Sequence, residues 1–445
     1  MLRIIKLAVA AALFIGLERW LGGQLGAPGA GLALLATIAW LWISEALHVS
    51  VTALLVPLLA TALGIFSFDE AVRQFADPII FLFLGGFALA AGLQRQGLDQ
   101  WVAAWVIRRA GDRLDRAARW LFWLTAGLSM WISNTATAAM MLPLALGLLS
   151  PLDFERNRRT WAYVLLGVAF SANIGGIGTL VGSPPNAIAA SNVGLSFAQW
   201  MLWGLPLVLV LMPLMELALR YTLRPTLDVE VCPPDVAVSW NGAHLAMGLV
   251  FLLTVLLWVF GAPLGKAIGL TRGYDAAVAL LALVLLHTLR LASWKDIKRS
   301  ADWGVLLLFG GGLTLSRALG DSGAGEWLAL QLGEPMAALP VLVSLALMVL
   351  FAMALTEFTS NTASAALLIP LFVGMAPQID AVPLAVLVAV ATSCAFLLPV
   401  ATPPNAIIFG SGRVPQRAMI KGGLGLTAVA FPVLVAAAAL ALWLD

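Results

Sequence analysis

The chain has 445 residues, of which 61% are hydrophobic and 11% charged, with a mean hydropathy of +0.97 and a formal net charge of +2. A soluble domain carries about 25% charged residues, so a water-soluble globule is excluded. In lipid only helices or closed barrels satisfy the backbone, and the apolar stretches run continuously, without the alternation of an outer-membrane strand. The near-neutral charge gives no nucleic-acid signal. Cys232 and Cys394 form no metal-like cluster and read as ordinary filler or loop thiols.

The first apolar stretch, 6–20, lacks a cleavage-site pattern and reads as a retained span. A span needs about 20 apolar residues. Further spans are predicted at 29–46, 51–66, 78–93, 161–181, 200–221, 245–260, 275–291, 303–319, 383–400 and 422–444. The segment 99–119 mixes Trp101, Val102, Trp105 and Val106 with a basic set and predicts an amphipathic helix on the cytoplasmic surface. The stretch 120–149 breaks at Ser133, Asn134 and Thr135, and each flank is too short to cross about 30 Å of hydrocarbon. A re-entrant hairpin fits, its polar tip shielded by protein or a cavity. The stretch 341–376 breaks in the same way at Ser360, Asn361 and Thr362. The expected fold is thus an all-α polytopic membrane protein with about eleven transmembrane helices and two re-entrant hairpins.

Charge tests this topology. With a cytoplasmic amino terminus and both hairpins returning to their own side, only Arg19, Arg73, Lys266, Arg272 and Arg317 of the 25 Lys and Arg fall outside. The other 20 lie inside, as the positive-inside rule requires. Counting either hairpin as a single span would invert everything after it. Asp445 is then expected outside, and an inner (plasma) membrane is the expected location.

The halves repeat. Ser133–Pro143 reads SNTATAAMMLP and Ser360–Pro370 reads SNTASAALLIP, identical at seven of eleven positions. Upstream, LGGFALAAGL at 84–93 resembles FGGGLTLSRAL at 309–319; downstream, GSPPNAI at 182–188 matches ATPPNAI at 401–407. The copies start five spans apart, so they cross the membrane in opposite senses, the mark of secondary transporters with midplane sites. The domains are read as an extra span at 1–28, a first repeat at 29–222 (hairpin 120–150), a proline-containing linker at 223–242 with Pro225, Pro233 and Pro234, and a second repeat at 243–445 (hairpin 340–377).

Each tip sets small polar side chains beside a helix start, where free N–H groups and partial positive charge suit an anion. Ser-Asn-Thr is also a helix cap; two symmetric copies inside apolar stretches point to binding. The Pro-Pro-Asn breaks free backbone carbonyls, and beside Gly182 and Ala401 these can join Ser and Asn oxygens in a shell for a monovalent cation. None of the Lys or Arg lies near a tip at membrane depth. An anion of about two charges must be offset there, so bound cations are its natural partners. Ionisable residues in or near spans are Glu45, Glu216, Asp275, Glu357, His244 and His287. Most lie at span ends; Glu357, three residues before the second tip, reads as a hairpin brace or a direct participant.

At these motifs the sequence resembles the divalent anion/sodium symporter family of di- and tricarboxylate and sulfate carriers. The resemblance spans nearly the whole chain and includes WISEALHVSVTALLVP at 42–57, both tips and SCAFLLPVATPPNAI at 393–407. His48 stands where many relatives carry proline. The resemblance implies a first sodium site at Ser129, Ser133, Asn134 and Gly182, and a second at Thr356, Thr359, Asn361 and Ala401. It places substrate carboxylates at Asn134, Thr135, Ser183, Ser360, Asn361, Thr362, Thr402 and Pro403. It further implies a homodimer in the bilayer and an elevator motion, with a scaffold of spans one to four and seven to nine and a moving domain of the hairpins and spans five, six, ten and eleven. The expected function is sodium-coupled import of C4-dicarboxylates such as succinate, malate and fumarate, with sodium as coupling ion and no other cofactor. Alternatives are sodium-independent dicarboxylate exchange and carriage of sulfate or another divalent anion. A membrane hydrolase using Ser133 or Ser360 would need a base in reach, and His48, His244 and His287 are not near either tip in sequence.

Overall fold

The computed structural model describes residues 2–109, 111–230, 240–270, 273–337 and 339–444. Cys232, Pro233, Pro234, Arg272 and Asp445 lie outside the described residues. Among the described residues all regular structure is helical, apart from an isolated bridge between Arg113 and Glu230.

A helix stands at each of the eleven predicted spans: Leu2–Leu17, Ala27–Ser44, Val49–Ala62, Pro78–Gln96, Arg158–Gly175, Phe197–Leu223, Gly242–Val259, Tyr274–Thr288, Trp303–Asp321, Ala381–Ser393 and Gln416–Leu444. Seven helices among the described residues are long and apolar enough to cross a membrane by length and composition. The outer surface exposes large apolar side chains, among them Leu202, Leu209, Leu252, Leu350 and Phe351. Such a surface is unfavourable in water and suited to lipid. The chain is an all-α polytopic membrane protein.

Both stretches set aside as hairpins are helical pairs. The first is Leu114–Ser129 and Asn134–Leu149; the second is Val341–Thr356 and Asn361–Met375. Each returning leg begins at the tip asparagine.

Three boundaries differ from the sequence reading. The amphipathic segment is divided: Leu98–Arg109 is one helix, Gly111 turns the chain at a φ of 81°, and Leu114 already opens the first hairpin. The helices Arg158–Gly175 and Ala381–Ser393 stop several residues before the Pro-Pro pairs. The prolines instead start the short helices Pro184–Val193 and Pro403–Gly410, since a first-turn residue needs no N–H and proline presets its φ. His48 caps the helix Val49–Ala62, its ring accepting from the Ser50 N–H at 3.3 Å.

The repeats are interlocked. A methyl group placed on Gly85 would lie 2.5 Å from Cβ and the carbonyl oxygen of Ala279. One placed on Gly311 would lie 2.6 Å from the same atoms of Ala53. Gly85 and Gly311 are equivalent in the two copies, as are Ala53 and Ala279. The contacts are therefore reciprocal, as at a two-fold interface. The hairpins are exchanged likewise: Asn134–Leu149 packs on Pro403–Gly410, and Asn361–Met375 packs on Pro184–Val193. At the centre runs Arg158–Gly175, in which every residue from Thr160 onward is buried.

Candidate functional site

The tips start from helix-end chemistry. Ser133 is an N-cap, its hydroxyl accepting from the Ala136 N–H at 3.3 Å. This leaves the next residue, Asn134, free to turn back along the hairpin. Its amide sets one terminal atom 2.7 Å from Ser129 Oγ, 3.1 Å from the Gly182 carbonyl oxygen and 3.2 Å from the Ala172 carbonyl oxygen. The Ser129 hydroxyl also reaches the Ala172 carbonyl at 2.8 Å. A hydroxyl has one proton. Once that proton goes to Ala172, Asn134 must present its NH2 group, which then donates to the surrounding acceptors. With the amide oxygen turned in instead, four oxygens converge, the donor set of a hard monovalent cation. Gly176 makes the approach feasible: a methyl there would stand 2.5 Å from that same terminal atom of the Asn134 amide and 2.9 Å from the Gly182 carbonyl.

The second tip repeats the arrangement. Thr356 Oγ1 lies 2.7 Å from Asn361 Oδ1 and 2.7 Å from the Thr392 carbonyl oxygen. Thr359 turns elsewhere, donating to the Leu355 carbonyl at 3.1 Å or sharing a proton with Ser364 Oγ at 2.6 Å. Ala401 gives its N–H to the Leu398 carbonyl at 3.2 Å.

The Pro-Pro-Asn asparagines hold the broken backbone. Asn186 donates to the carbonyls of Gly176 at 2.8 Å and Thr179 at 2.7 Å. Asn405 donates to those of Ala395 at 3.2 Å and Leu398 at 3.1 Å. The spacing back along the chain is the same in both copies. Fixing these loops stabilises the freed carbonyls without adding charge.

The two breaks also touch. Asn173 donates to Thr402 Oγ1 at 3.1 Å, and Ser183 Oγ faces Ser393 Oγ at 3.5 Å. Asn173 follows Ala172, the carbonyl at the first tip; Ser393 follows Thr392, the carbonyl at the second. The two breaks thus meet through polar side chains in the buried centre, each one residue from a cluster carbonyl. Around it, Ser133, Thr135 and Pro403 are exposed, Asn134, Ser360 and Asn361 half-buried, and Ser183, Thr362 and Thr402 buried. Among the described residues the buried charged side chains are Asp99 and Glu357. The buried charge next to a tip is therefore negative.

The profile of the citrate transporter family matches residues 39–392. The chain belongs to the citrate transporter family. This is the divalent anion/sodium symporter grouping whose motifs the sequence resembles. Among similar proteins, an uncharacterized transporter of Haemophilus influenzae is 49% identical over 413 residues, covering 90% of this chain and 88% of that protein. The sodium-dependent dicarboxylate transporter SdcS of Staphylococcus saprophyticus is 33% identical over 445 residues, covering 91% and 85%. The crystal structure of the Alcanivorax borkumensis YdaH transporter, described as having an unusual topology, aligns with a TM-score of 0.57 and 16% identity over 84% of this chain and 87% of that one. That last likeness concerns fold alone. The family and these relatives are transporters, and this chain is a transporter rather than an enzyme.

In this member of the citrate transporter family, four central residues escaped sequence reasoning: Ala172, Asn173, Thr392 and Ser393. Ala172 and Thr392 act through backbone carbonyls, which no side chain advertises. Asn173 and Ser393 were open to discovery as polar residues inside the predicted spans 161–181 and 383–400, at matching places in the repeat.

Proposed function

We propose that the protein is a sodium-coupled importer of C4-dicarboxylates, of the succinate, malate and fumarate type. The observation that carries this reading is the pair of matched oxygen clusters, Ser129–Asn134–Ala172–Gly182 and Thr356–Asn361–Thr392. No Lys or Arg of the chain is near them in sequence. A dianion held between the tips needs positive charge, and sodium at these clusters supplies it. Asn134 and Asn361 face both ion and substrate; Thr135, Ser183, Ser360, Thr362, Thr402 and Pro403 complete the carboxylate contacts. Ser133 and Thr359 brace the tips. The sodium-dependent dicarboxylate transport named for the staphylococcal relatives supports the same reading.

The proposal extends to an inner-membrane homodimer with a cytoplasmic amino terminus, a scaffold and an elevator-like moving domain. Labelling in intact cells checks the orientation, in a background lacking Cys232 and Cys394. Cysteine at Asp321, exposed at the end of its helix, reacts with an impermeant reagent; cysteine at Arg156 does not. Coupling is tested in proteoliposomes. Succinate uptake requires an inward sodium gradient and ignores a pH gradient alone. Equal uptake in choline and sodium, dependent on internal dicarboxylate, would establish exchange instead.

A further inference from the structure

The two tips are pinned to their helix breaks by different chemistry. Glu357 follows Thr356 in the second tip. Its carboxylate accepts from the Phe396 N–H at 2.7 Å, the Leu397 N–H at 3.0 and 3.1 Å, and the Leu398 N–H at 3.1 Å. Three consecutive N–H groups form a concave nest that favours an anion, and the hairpin itself supplies it. The side chain is 4% exposed. The equivalent residue of the first tip is Met130, which follows Ser129. There the loop is pinned without charge. Thr179 donates its hydroxyl to the Met130 carbonyl, and the Met130 side chain lies against Gly178, where an added methyl would meet it at 2.9 Å.

The Glu357 nest lies within the second ion cluster's own framework. Residues 396–398 follow the Thr392 carbonyl that Thr356 contacts, and lie between the Ala395 and Leu398 carbonyls that Asn405 holds. Glu357 therefore fixes Thr356 and the Thr392 carbonyl relative to each other. It also brings a formal negative charge into the low-dielectric surroundings of one cluster, where attraction for a cation is much stronger than in water. Among the described residues the first cluster has no such buried charge.

We propose that Glu357 is a positioning residue that makes the second tip the tighter of two sodium sites, so that this site fills first. The inference rests on the sodium-coupled reading. Glu357 touches neither ion nor substrate; it acts through Thr356 and the Thr392 carbonyl. Glu357→Gln preserves size but removes the charge and turns an NH2 toward N–H groups. Losing buried, charge-assisted hydrogen bonds shifts an equilibrium constant by roughly 5- to 150-fold.

The test measures thermal unfolding of the purified protein across sodium concentrations, beside succinate uptake. In E357Q the sodium concentration for half-maximal stabilisation rises at least roughly fivefold. The sodium-free melting temperature also falls, because the lost hydrogen bonds brace the ion-free protein too, so the rise in the sodium midpoint is the deciding readout; the succinate KM at saturating sodium is unchanged. Glu357→Asp keeps the charge, restores part of the sodium affinity, and serves as the readout if E357Q does not fold. A wild-type sodium midpoint in E357Q, with or without a lower sodium-free melting temperature, overturns the inference and leaves Glu357 a structural brace. A wild-type protein that is indifferent to sodium overturns the sodium reading itself, and this inference with it.

Discussion

The two hairpin tips share a plan and differ in how it is held. Each sets a hydroxyl residue five positions before an asparagine, and each hydroxyl reaches a helix-end carbonyl, of Ala172 in one and Thr392 in the other. The first tip gains its close packing from glycines, with Gly176 against the Asn134 amide. The second has Ala395 and Leu397 in its loop and relies on the Glu357 carboxylate. On the proposed reading the shared part is what an ion needs, and the divergent part is support. A repeat can therefore drift in its scaffolding while its oxygen donors stay fixed.

Removing a shared element has the largest effect. Asn134→Ala or Asn361→Ala withdraws an amide from a buried cluster and leaves its partners unsatisfied. The cost is about 1–3 kcal/mol, or roughly 5- to 150-fold in an equilibrium constant. Both variants should insert and fold, transport poorly, and need more sodium and more succinate for half-maximal uptake, because the two ligands are linked. A capping role would instead lower thermal stability and leave sodium dependence normal. Sodium titrations of uptake and of unfolding separate these outcomes; equal sodium dependence in both variants and wild type would end the comparison between the tips.

Gly176→Ala sharpens it. The added methyl would press on the Asn134 amide and the Gly182 carbonyl, and overpacking of this kind typically costs about 1–3 kcal/mol. Sodium binding should weaken, and in a direct titration the steeper, two-ion dependence should fall toward one ion. Among the described residues no analogous glycine faces Asn361, and Ala395 stands where Gly176 does, so the second site should persist.

Thr179→Val tests the neutral pin of the first tip. The hydroxyl donates to the Met130 carbonyl and accepts from the Gly182 N–H. Valine keeps the shape and strands the Met130 carbonyl, for about 1–3 kcal/mol, while the Gly182 N–H keeps only its long contact with the Thr179 carbonyl at 3.4 Å. Part of that should appear as weaker sodium binding, because Gly182 supplies a carbonyl to the first cluster.

The smallest effect lies at the predicted cytoplasmic surface. Asp296 closes a capping box with Ser293 and pairs with Arg95. Hydrogen bonds from the Ser293 side chain and backbone, aided by Arg95, hold its carboxyl down to about 2. Its folded value lies below the unfolded value of roughly 3.9. Its stabilisation is therefore present above that pH and is lost as pH falls toward about 2. Asp296→Ala should cost about 1 kcal/mol or less, read as a slightly lower melting temperature at pH 7 with unchanged sodium dependence.

The spans and the hairpins were legible because apolar run length decides them: a stretch interrupted by Ser-Asn-Thr cannot be one straight helix. The Pro-Pro pairs marked the breaks but were misread as their cause, since Arg158–Gly175 and Ala381–Ser393 end earlier and the prolines begin new helices. Two short helices, Phe68–Arg73 and Trp294–Ser300, went unread although Ser67 with Glu70 and Ser293 with Asp296 spell capping boxes. Ala324–Ala337 also went unread; it stands where Leu98–Arg109 stands in the first repeat but lacks that helix's basic residues. At the site, Ser129, Asn134, Thr356 and Asn361 were legible as side chains. The carbonyls of Ala172 and Thr392 were not, because a backbone donor is defined only by where the chain ends its helix. The partners of Glu357 stayed hidden for the same reason.

Succinate binding to the purified protein, measured as its Kd over a range of sodium concentrations, tests the central claim most directly. If sodium at two tips offsets the dianion's charge, the succinate Kd falls as sodium rises, approaches a two-ion dependence, and returns to a weak limit in choline. A succinate Kd that is the same in sodium and in choline would contradict the account.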